Sequence, residues 1–388
     1  MSPGDRREVL VLHSLQQIGR GLTAALSVDD YAVRVITSAP EQVVLRPDAP
    51  RDRIEIETVT DEWRRTTLPQ LVSERDLEVV TNDELCLEEC SRLRTATGRD
   101  AIPLDQLSAY GDKVELKRRL RDAGVPVPRS ALLELDQVAD DAAAGVVASV
   151  GLPVVVKPRR GAYNIGVGVM ATTDELQEWM LAHRGERDWH VESFASGRLC
   201  HANAIVADGR VTPVIVGAYT GPPLGLGRGA ALGSVTVPGS HPLRDVGFEL
   251  LHRITAVLGA AGRFVLHAEF FFDGEQATVI DVATRAPGGL VSDIAELAAG
   301  VNLEEASFRL QTGADVPDPV DTGVAAGWAW WAGRVAPRTA FVAWNRDFDQ
   351  LVGDLGAAVQ GGESGTALAG GWLADLRVGP EAIRHSNV

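Results

Sequence analysis

His267-Ala268-Glu269-Phe270-Phe271-Phe272, then Asp273-Gly274, then Val279-Ile280-Asp281-Val282-Ala283-Thr284-Arg285-Ala286-Pro287-Gly288-Gly289, reads as two strands joined by a tight turn. After the glycine pair a helix follows, from about 291 to 299. Each strand carries one carboxylate in an otherwise apolar run. A buried carboxylate is costly unless a cation meets it, so Glu269 and Asp281 invite a shared hard metal. Two plainer roles stand beside that one: Glu269 paired with an arginine, and Asp281 capping a turn. Register separates them. A two-residue Asp273-Gly274 turn pairs Glu269 with Thr278 and sends Asp281 to the opposite face. A three- or five-residue loop with a glycine bulge puts both carboxylates, with His267, on one face. We expect the odd-length loop. Arg285, ahead of a glycine pair at a helix start, suits anion binding by guanidinium and backbone N–H groups.

Upstream, Val154-Val155-Val156-Lys157-Pro158 runs into Arg159-Arg160-Gly161-Ala162-Tyr163-Asn164-Ile165-Gly166-Val167-Gly168, a strand entering a glycine-rich loop. Of 37 basic residues only Lys113, Lys117 and Lys157 are lysines. A compact ammonium on a flexible stem suits a point contact with phosphate oxygens, which a guanidinium fork cannot always replace. A surface lysine is the plainer reading. Asp112, followed three residues later by Glu115, resembles a capping box, which sets Lys113 in the first turn of a helix to about 123. Lys117 has no such assignment and reads as an ordinary solvated residue.

The chain has 388 residues, enough for two or three domains. A net charge of −16 argues against nucleic acid as a partner, keeps the chain soluble, and leaves anions to be held by local basic groups. No apolar run reaches membrane-span length, and no signal-peptide core follows Met1, so a cytoplasmic enzyme is expected. Cys86, Cys90 and Cys200 are too few for a disulfide framework and read as packing residues.

The first hundred residues alternate strands (9–13, 32–37, 53–57, 77–80) with helices (to about 25, 61–72 and 83–95), a small doubly wound α/β domain without a dinucleotide-binding glycine fingerprint. Beyond it come an alanine-rich helix (about 135–150), a capped helix from Thr172 to about 183, and the strand His190-Val191-Glu192-Ser193-Phe194. A hairpin of 202–206 with 211–216 turns at Asp208-Gly209. Residues 219–239 hold six glycines without apolar periodicity, the pattern of a mobile active-site loop. The last seventy residues, with Trp328, Trp330 and Trp331 near Arg334, read as appended β-structure, the tryptophans as core.

Taken in order, Asp112-Lys113, Lys157-Pro158 before a glycine-rich loop, Val191-Glu192-Ser193-Phe194, His267-Ala268-Glu269 and Ile280 to Gly289 resemble the ATP-grasp superfamily, in particular its carboxylate–amine ligases of the amino-acid or dipeptide type. The resemblance covers roughly 105–312. It implies an α/β and α+β architecture: a pre-ATP-grasp α/β domain (1–105), an ATP-grasp N-lobe (106–190), a C-lobe with the metal strands (191–315) and a β-rich extension (316–388). ATP would lie between the lobes. Lys113 and Lys157 would contact its phosphates, and the loop with Gly161, Asn164 and Gly166 would cover them. Glu192 and the backbone of Ser193 and Phe194 would form the adenine hinge. Glu269 and Asp281 would hold Mg²⁺, and Arg285 would stabilise phosphoryl or carboxylate charge. Two positions depart from the family pattern: Ala283 replaces an asparagine ligand, which puts a second Mg²⁺ in doubt, and Leu199 replaces a ribose-binding carboxylate. His201, two residues on, is either a polar neighbour of the nucleotide or a satisfied hairpin histidine. His267 either positions the reacting carboxylate or packs.

The implied reaction activates a carboxylate as an acyl phosphate and joins it to an amine, releasing ADP and phosphate. Small-molecule carboxylate and amine substrates are the expected partners, with no nucleic acid and no membrane, and a homodimer is compatible with the sequence. An ATP-grasp enzyme with another acceptor and a catalytically silent nucleotide-binding module are the alternatives.

Overall fold

The computed structural model describes residues 6–15, 18–19, 21–43, 45, 51–75, 77–136, 138–139, 141–162, 164–221, 231–331, 338–343, 348–360 and 384–386. The N-terminal part forms β1 (Arg7–Leu12), α1 (Gly21–Ala25), β2 (Tyr31–Thr37), β3 (Ile54–Thr58), α2 (Asp61–Thr66), α3 (Leu68–Arg75), β4 (Glu78–Thr81) and α4 (Leu87–Ala96). Its strands are parallel in the order β3-β2-β1-β4, as alternating strand and helix patterns require. The single helix expected over 61–72 is two. Pro69 cannot donate a backbone hydrogen bond, so the chain restarts there, with proline tolerated in the first turn of α3. Cys86 and Cys90 are buried, and burial pushes both thiols up to about 12, consistent with packing roles.

Next come α5 (Leu104–Gly111), α6 (Lys113–Asp122), β5 (Ser130–Leu133), α7 (Ala142–Val150), β6 (Val154–Pro158), β7 (Gly168–Met170), α8 (Thr173–Ala182) and β8 (Trp189–Ser193). The antiparallel sheet β5-β8-β6-β7 buries Val154, Val156, Met170 and Val191 against α7 and α8. Strand alternation then turns Leu132, Val155, Lys157, Val169, His190 and Glu192 to the opposite face. The alanine-rich helix starts at Ala142 rather than near 135; Leu135 and Val138 still enter its core, from extended chain.

The remainder builds one antiparallel sheet of eight strands: β9 (Arg198–Ala207), β10 (Arg210–Tyr219), β11 (Ala231–Thr236), β12 (Arg263–Phe272), β13 (Ala277–Ala283), β14 (Ala325–Trp331), β15 (Arg338–Ala343) and β16 (Arg384–Ser386). Their spatial order is β13-β12-β9-β10-β11-β14-β15-β16. The β9–β10 turn sets both Asp208 (φ 53°) and Gly209 (φ 80°) in the left-handed region, the hairpin geometry the Asp-Gly pair predicts. α9 (Pro242–Leu258) and α12 (Phe348–Gln360) cover one face; α10 (Val291–Ala299) and α11 (Leu303–Gln311) cover the other.

One expectation fails here. The glycine-rich stretch 219–239 contains β11, because pairing with β10 and β14 on its two sides supplies the order its sequence lacks; residues 222–230 lie outside the described residues. Within the last seventy residues the described ones add β14, β15 and β16 to the central sheet, the expected appended β-structure, together with the helix α12. Trp328 is buried as expected. The side chains of Trp330 and Trp331, and Arg334, lie outside the described residues. Among the described residues no helix is long and apolar enough to cross a membrane.

Candidate active site

Asp112 starts α6: its Oδ1 accepts from the N–H groups of Val114 (3.1 Å) and Glu115 (3.2 Å). The reciprocal half of the expected capping box is missing, since the Glu115 carboxylate turns to Arg118 and Arg119. Asp112 also grips the Arg159 guanidinium at 2.8 and 2.9 Å, tying the end of β6 to this helix start. Lys113 closes the same corner: its N–H donates to Arg159 O, and its Nζ to Gly161 O, both at 3.0 Å. In the loop, Asn164 (φ 57°) and Gly166 (φ 76°) take left-handed turns, and Ile165 between them is 60% exposed.

All three lysines of the chain converge here. Lys113, Lys117 and Lys157 are 6%, 0% and 7% exposed. Lys157 Nζ meets Glu192 Oε1, Lys117 Nζ stands 3.5 Å from Glu192 Oε2, and Lys113 Nζ 3.5 Å from Asp281 Oδ1. The reading of Lys117 as solvated is wrong. It is the most buried of the three, and its Nζ donates to Val279 O (2.8 Å) and Ile280 O (2.7 Å). The signal was present in the sequence: Lys113 and Lys117 are four apart on a helix and share one face.

Charge and burial compete in this cluster. Burial raises the carboxyl of Glu192, but Lys117 and Lys157 hold it below its ordinary value. Burial likewise opposes ionised Asp281, and Lys113, Lys157 and Lys117 bring it down. Burial would lower Lys113, yet Asp281, Glu84 and Glu192 raise it. Lys117 is pulled down to about 8, burial outweighing the attraction of Glu192. Beside them His190 is fully buried, neither ring nitrogen has a hydrogen-bond partner among the described residues, and burial lowers it to about 3. The N–H groups of Ser193 and Phe194 donate to Arg129 O (2.8 Å) and Pro153 O (2.9 Å), so both backbone donors are engaged within the protein.

Across the cleft, Glu269 on β12 stands opposite Asp281 on β13, so both carboxylates share a face. The route differs from the expected one. Phe272 pairs with Ala277, which makes a four-residue loop over 273–276, organised by Asp273 Oδ1 accepting from Glu275 N and Gln276 N. An even loop alone would put Asp281 on the wrong face. A β-bulge between Glu269 and Phe270 on one strand, with Ile280 unpaired on the other, supplies the missing residue of register.

A chain of polar groups runs from Glu269 across the sheet. Tyr219 OH donates to Glu269 Oε1 (3.0 Å), and His267 Nε2 lies 3.6 Å from the same oxygen. His267 Nδ1 meets Asn203 Oδ1 (2.8 Å), Asn203 Nδ2 meets His201 Nδ1 (2.9 Å), and His201 Nε2 meets Ser234 Oγ (2.7 Å). His201 is therefore fully partnered within the sheet, and burial drives it well below its ordinary value. Arg285 reaches the N-terminal part: its Nη2 is 2.7 Å and its Nε 2.8 Å from Glu84 Oε2, while Ala286 N–H donates to Asn82 Oδ1 (2.8 Å). Sequence reasoning missed Asn82, Glu84, His190, Asn203, Tyr219 and Ser234, whose roles depend on pairing between distant segments.

An α/β sheet followed by a small antiparallel sheet and a large antiparallel one is a fold that known structures share. The L-amino acid ligase from Bacillus licheniformis superposes with a TM-score of 0.61 at 16% identity, over 84% of this chain and 79% of that one. A carboxyaminoimidazole ribonucleotide synthase from Aspergillus clavatus, solved with ATP, gives 0.65 at 16% identity, over 84% and 81%. This is the ATP-grasp fold. No family model matches the chain. By sequence, the chain is 26% identical to the carbamoyl phosphate synthase large chain of Methanosphaerula palustris over 223 residues, 52% of this chain and 20% of that one. It is 33% identical to the D-alanine–D-alanine ligase of Methylibium petroleiphilum over 107 residues, 27% and 34% of the two chains. The chain thus aligns with only a fifth to about a third of the length of these curated relatives.

Proposed function

We propose that this ATP-grasp chain is an ATP-dependent ligase that activates a small carboxylate, such as an amino acid, and joins it to an amine. The observation that carries the reading is the convergence of all three lysines with Glu192 and Asp281 at the cleft between the two antiparallel sheets. An anion-binding cleft in a chain of net charge −16 must be built locally, and this one is.

In this reading Lys113 and Lys157 exchange part of their pairing with Asp281 and Glu192 for the phosphates of ATP. The partly exposed apolar residues Leu132 and Val169 lie on the cleft face and offer the base a surface. Glu269 and Asp281 are hard oxygen donors on one face and fit Mg²⁺, which bound there would neutralise phosphoryl charge. Ala283 offers no donor, and among the described residues no group of three or more His, Cys, Asp or Glu could hold a metal. Phosphate oxygens and water would therefore complete the shell. The substrate carboxylate oxygen attacks the γ-phosphorus and ADP leaves, giving an acyl phosphate. The amine nitrogen then attacks the acyl carbon, the C–O bond to phosphate breaks with its electron pair on phosphate, and the surplus proton of the nitrogen passes to the departing phosphate. Arg285 stabilises the transferred charge, His267 positions the acyl group, and the Gly161–Gly166 loop excludes water.

The test is ADP release from purified protein with pairs of amino acids and related acids. Release that needs both a carboxylate and an amine supports the reading. Release without an amine favours a different acceptor, and nucleotide binding without turnover on any pair favours a silent module.

A further inference from the structure

The bulge that aligns the two carboxylates has a specific holder. If the pairing set by Phe270 and Val279 continued without it, Ile280 would face Glu269, and Asp281 would fall beside Ala268 in the apolar core. β13 is the edge strand of its sheet, so the carbonyls on its outer side have no ladder partner. Lys117 Nζ takes two of them, Val279 O and Ile280 O, on either side of the bulged position. The Val279 N–H donates to Pro126 O (2.9 Å), from the segment that follows α6. Toward the other lobe, Lys117 Nζ lies 3.5 Å from Glu192 Oε2.

We propose that Lys117 is a positioning residue: its ammonium pins the bulge at Ile280, so that Asp281 stands across from Glu269, and ties that strand to Glu192 on β8. An ammonium has three N–H groups. Two go to the carbonyls and the third faces Glu192, so none remains for a phosphate. An apolar side chain in its place strands two buried carbonyls. The inference rests on the reading of the cleft as a nucleotide and divalent-cation site, and goes beyond it by assigning the third lysine to the geometry of the cation carboxylates.

Lys117→Met tests it by two measurements. The first is binding of a non-hydrolysable ATP analogue without divalent cation, by calorimetry; the second is Mn²⁺ binding to the protein–analogue complex, by electron paramagnetic resonance. The expected result is metal-free nucleotide affinity within about threefold of wild type and Mn²⁺ affinity weakened about ten- to a hundredfold, the range for lost support of metal ligands. Unchanged Mn²⁺ affinity overturns the proposal, and so does an equal loss of both, which assigns Lys117 to the nucleotide. Should Lys117→Met not fold, Lys117→Gln is read by the same criteria, its shorter side chain spanning at most one carbonyl. A ligand-free crystal structure of the folded variant gives an independent arm: a slipped or disordered β13 supports the proposal, and Asp281 still across from Glu269 overturns it. Wild-type protein that binds no nucleotide would instead sink the ligase reading, while the crystallographic arm still decides the role of Lys117.

Discussion

Glu84 holds Arg285 across 201 residues of sequence, with one carboxylate oxygen 2.7 Å from Nη2 and 2.8 Å from Nε. The pair is largely buried and joins the N-terminal part to the strand end beyond Asp281, and Glu84 also raises Lys113. Glu84→Gln should lower stability by about 1.5–3 kcal/mol, the range for a charged hydrogen bond. It should also bind anionic nucleotide at least as tightly as wild type, since it removes a competing carboxylate. Urea unfolding and nucleotide titration of the same variant read both; weaker nucleotide binding would contradict the second part.

Lys157→Arg keeps the charge but not the shape. Lys157 is 7% exposed, ion-paired with Glu192 and opposite the fully buried His190, surroundings that suit a compact ammonium better than a planar fork. We expect kcat/KM for ADP formation to fall on the order of 100-fold, about 2.7 kcal/mol, in a variant that still melts cooperatively. Near-normal turnover would remove Lys157 from the phosphate role.

His190 sets an acid limit. Its folded value, about 3, lies below the ordinary 6.5 because burial disfavours the imidazolium. Between those values the unfolded chain holds the extra proton, so this group's contribution to stability is lost as pH falls from about 6.5 toward about 3. Glu192 and Asp281, both lowered, add losses of the same sign further into acid. His190→Phe should flatten urea stability against pH between about 5 and 6.5, removing a slope of up to about 1.4 kcal/mol per pH unit. Parallel profiles for variant and wild type would refute the assignment.

Gly217 leaves room for His201. A Cβ there would overlap the His201 ring and lie 3.1 Å from Ser234 Oγ. Gly217→Ala should therefore displace the ring from Ser234, costing about 1–3 kcal/mol, and loosen the Asn203–His267 link. Thermal denaturation gives the cost, and the imidazole proton resonances of His201 and His267 report the displacement.

Much of this was legible where chemistry is local. Carboxylates in apolar strands, Asp112 ahead of a helix, glycines after Lys157 and the Asp208-Gly209 turn each declare themselves within a few residues. The helix after Gly288-Gly289 spans 291–299, as its pattern predicts. What was not legible depends on distant partners. Val279-Ile280-Asp281 shows no glycine to mark its bulge, which is anchored by Lys117, 162 and 163 residues away in sequence. β11 has no apolar period and exists because β10 and β14 flank it. His190 and Asn203 look like ordinary strand residues until pairing places them beside Lys157 and His267.

The burial of every lysine gives these 388 residues an unusual surface: the three side-chain primary amines are 0–7% exposed and the exterior offers almost none to solvent. A catalyst of the proposed kind generates an acylating agent, and exposed ε-amino groups would be acceptors in competition with the intended amine. Here arginine, far less nucleophilic while protonated, carries the exterior positive charge. Amine-directed reagents should consequently leave the native side chains unmodified and label Lys113, Lys117 and Lys157 together once the chain unfolds, making covalent labelling a direct gauge of cleft opening.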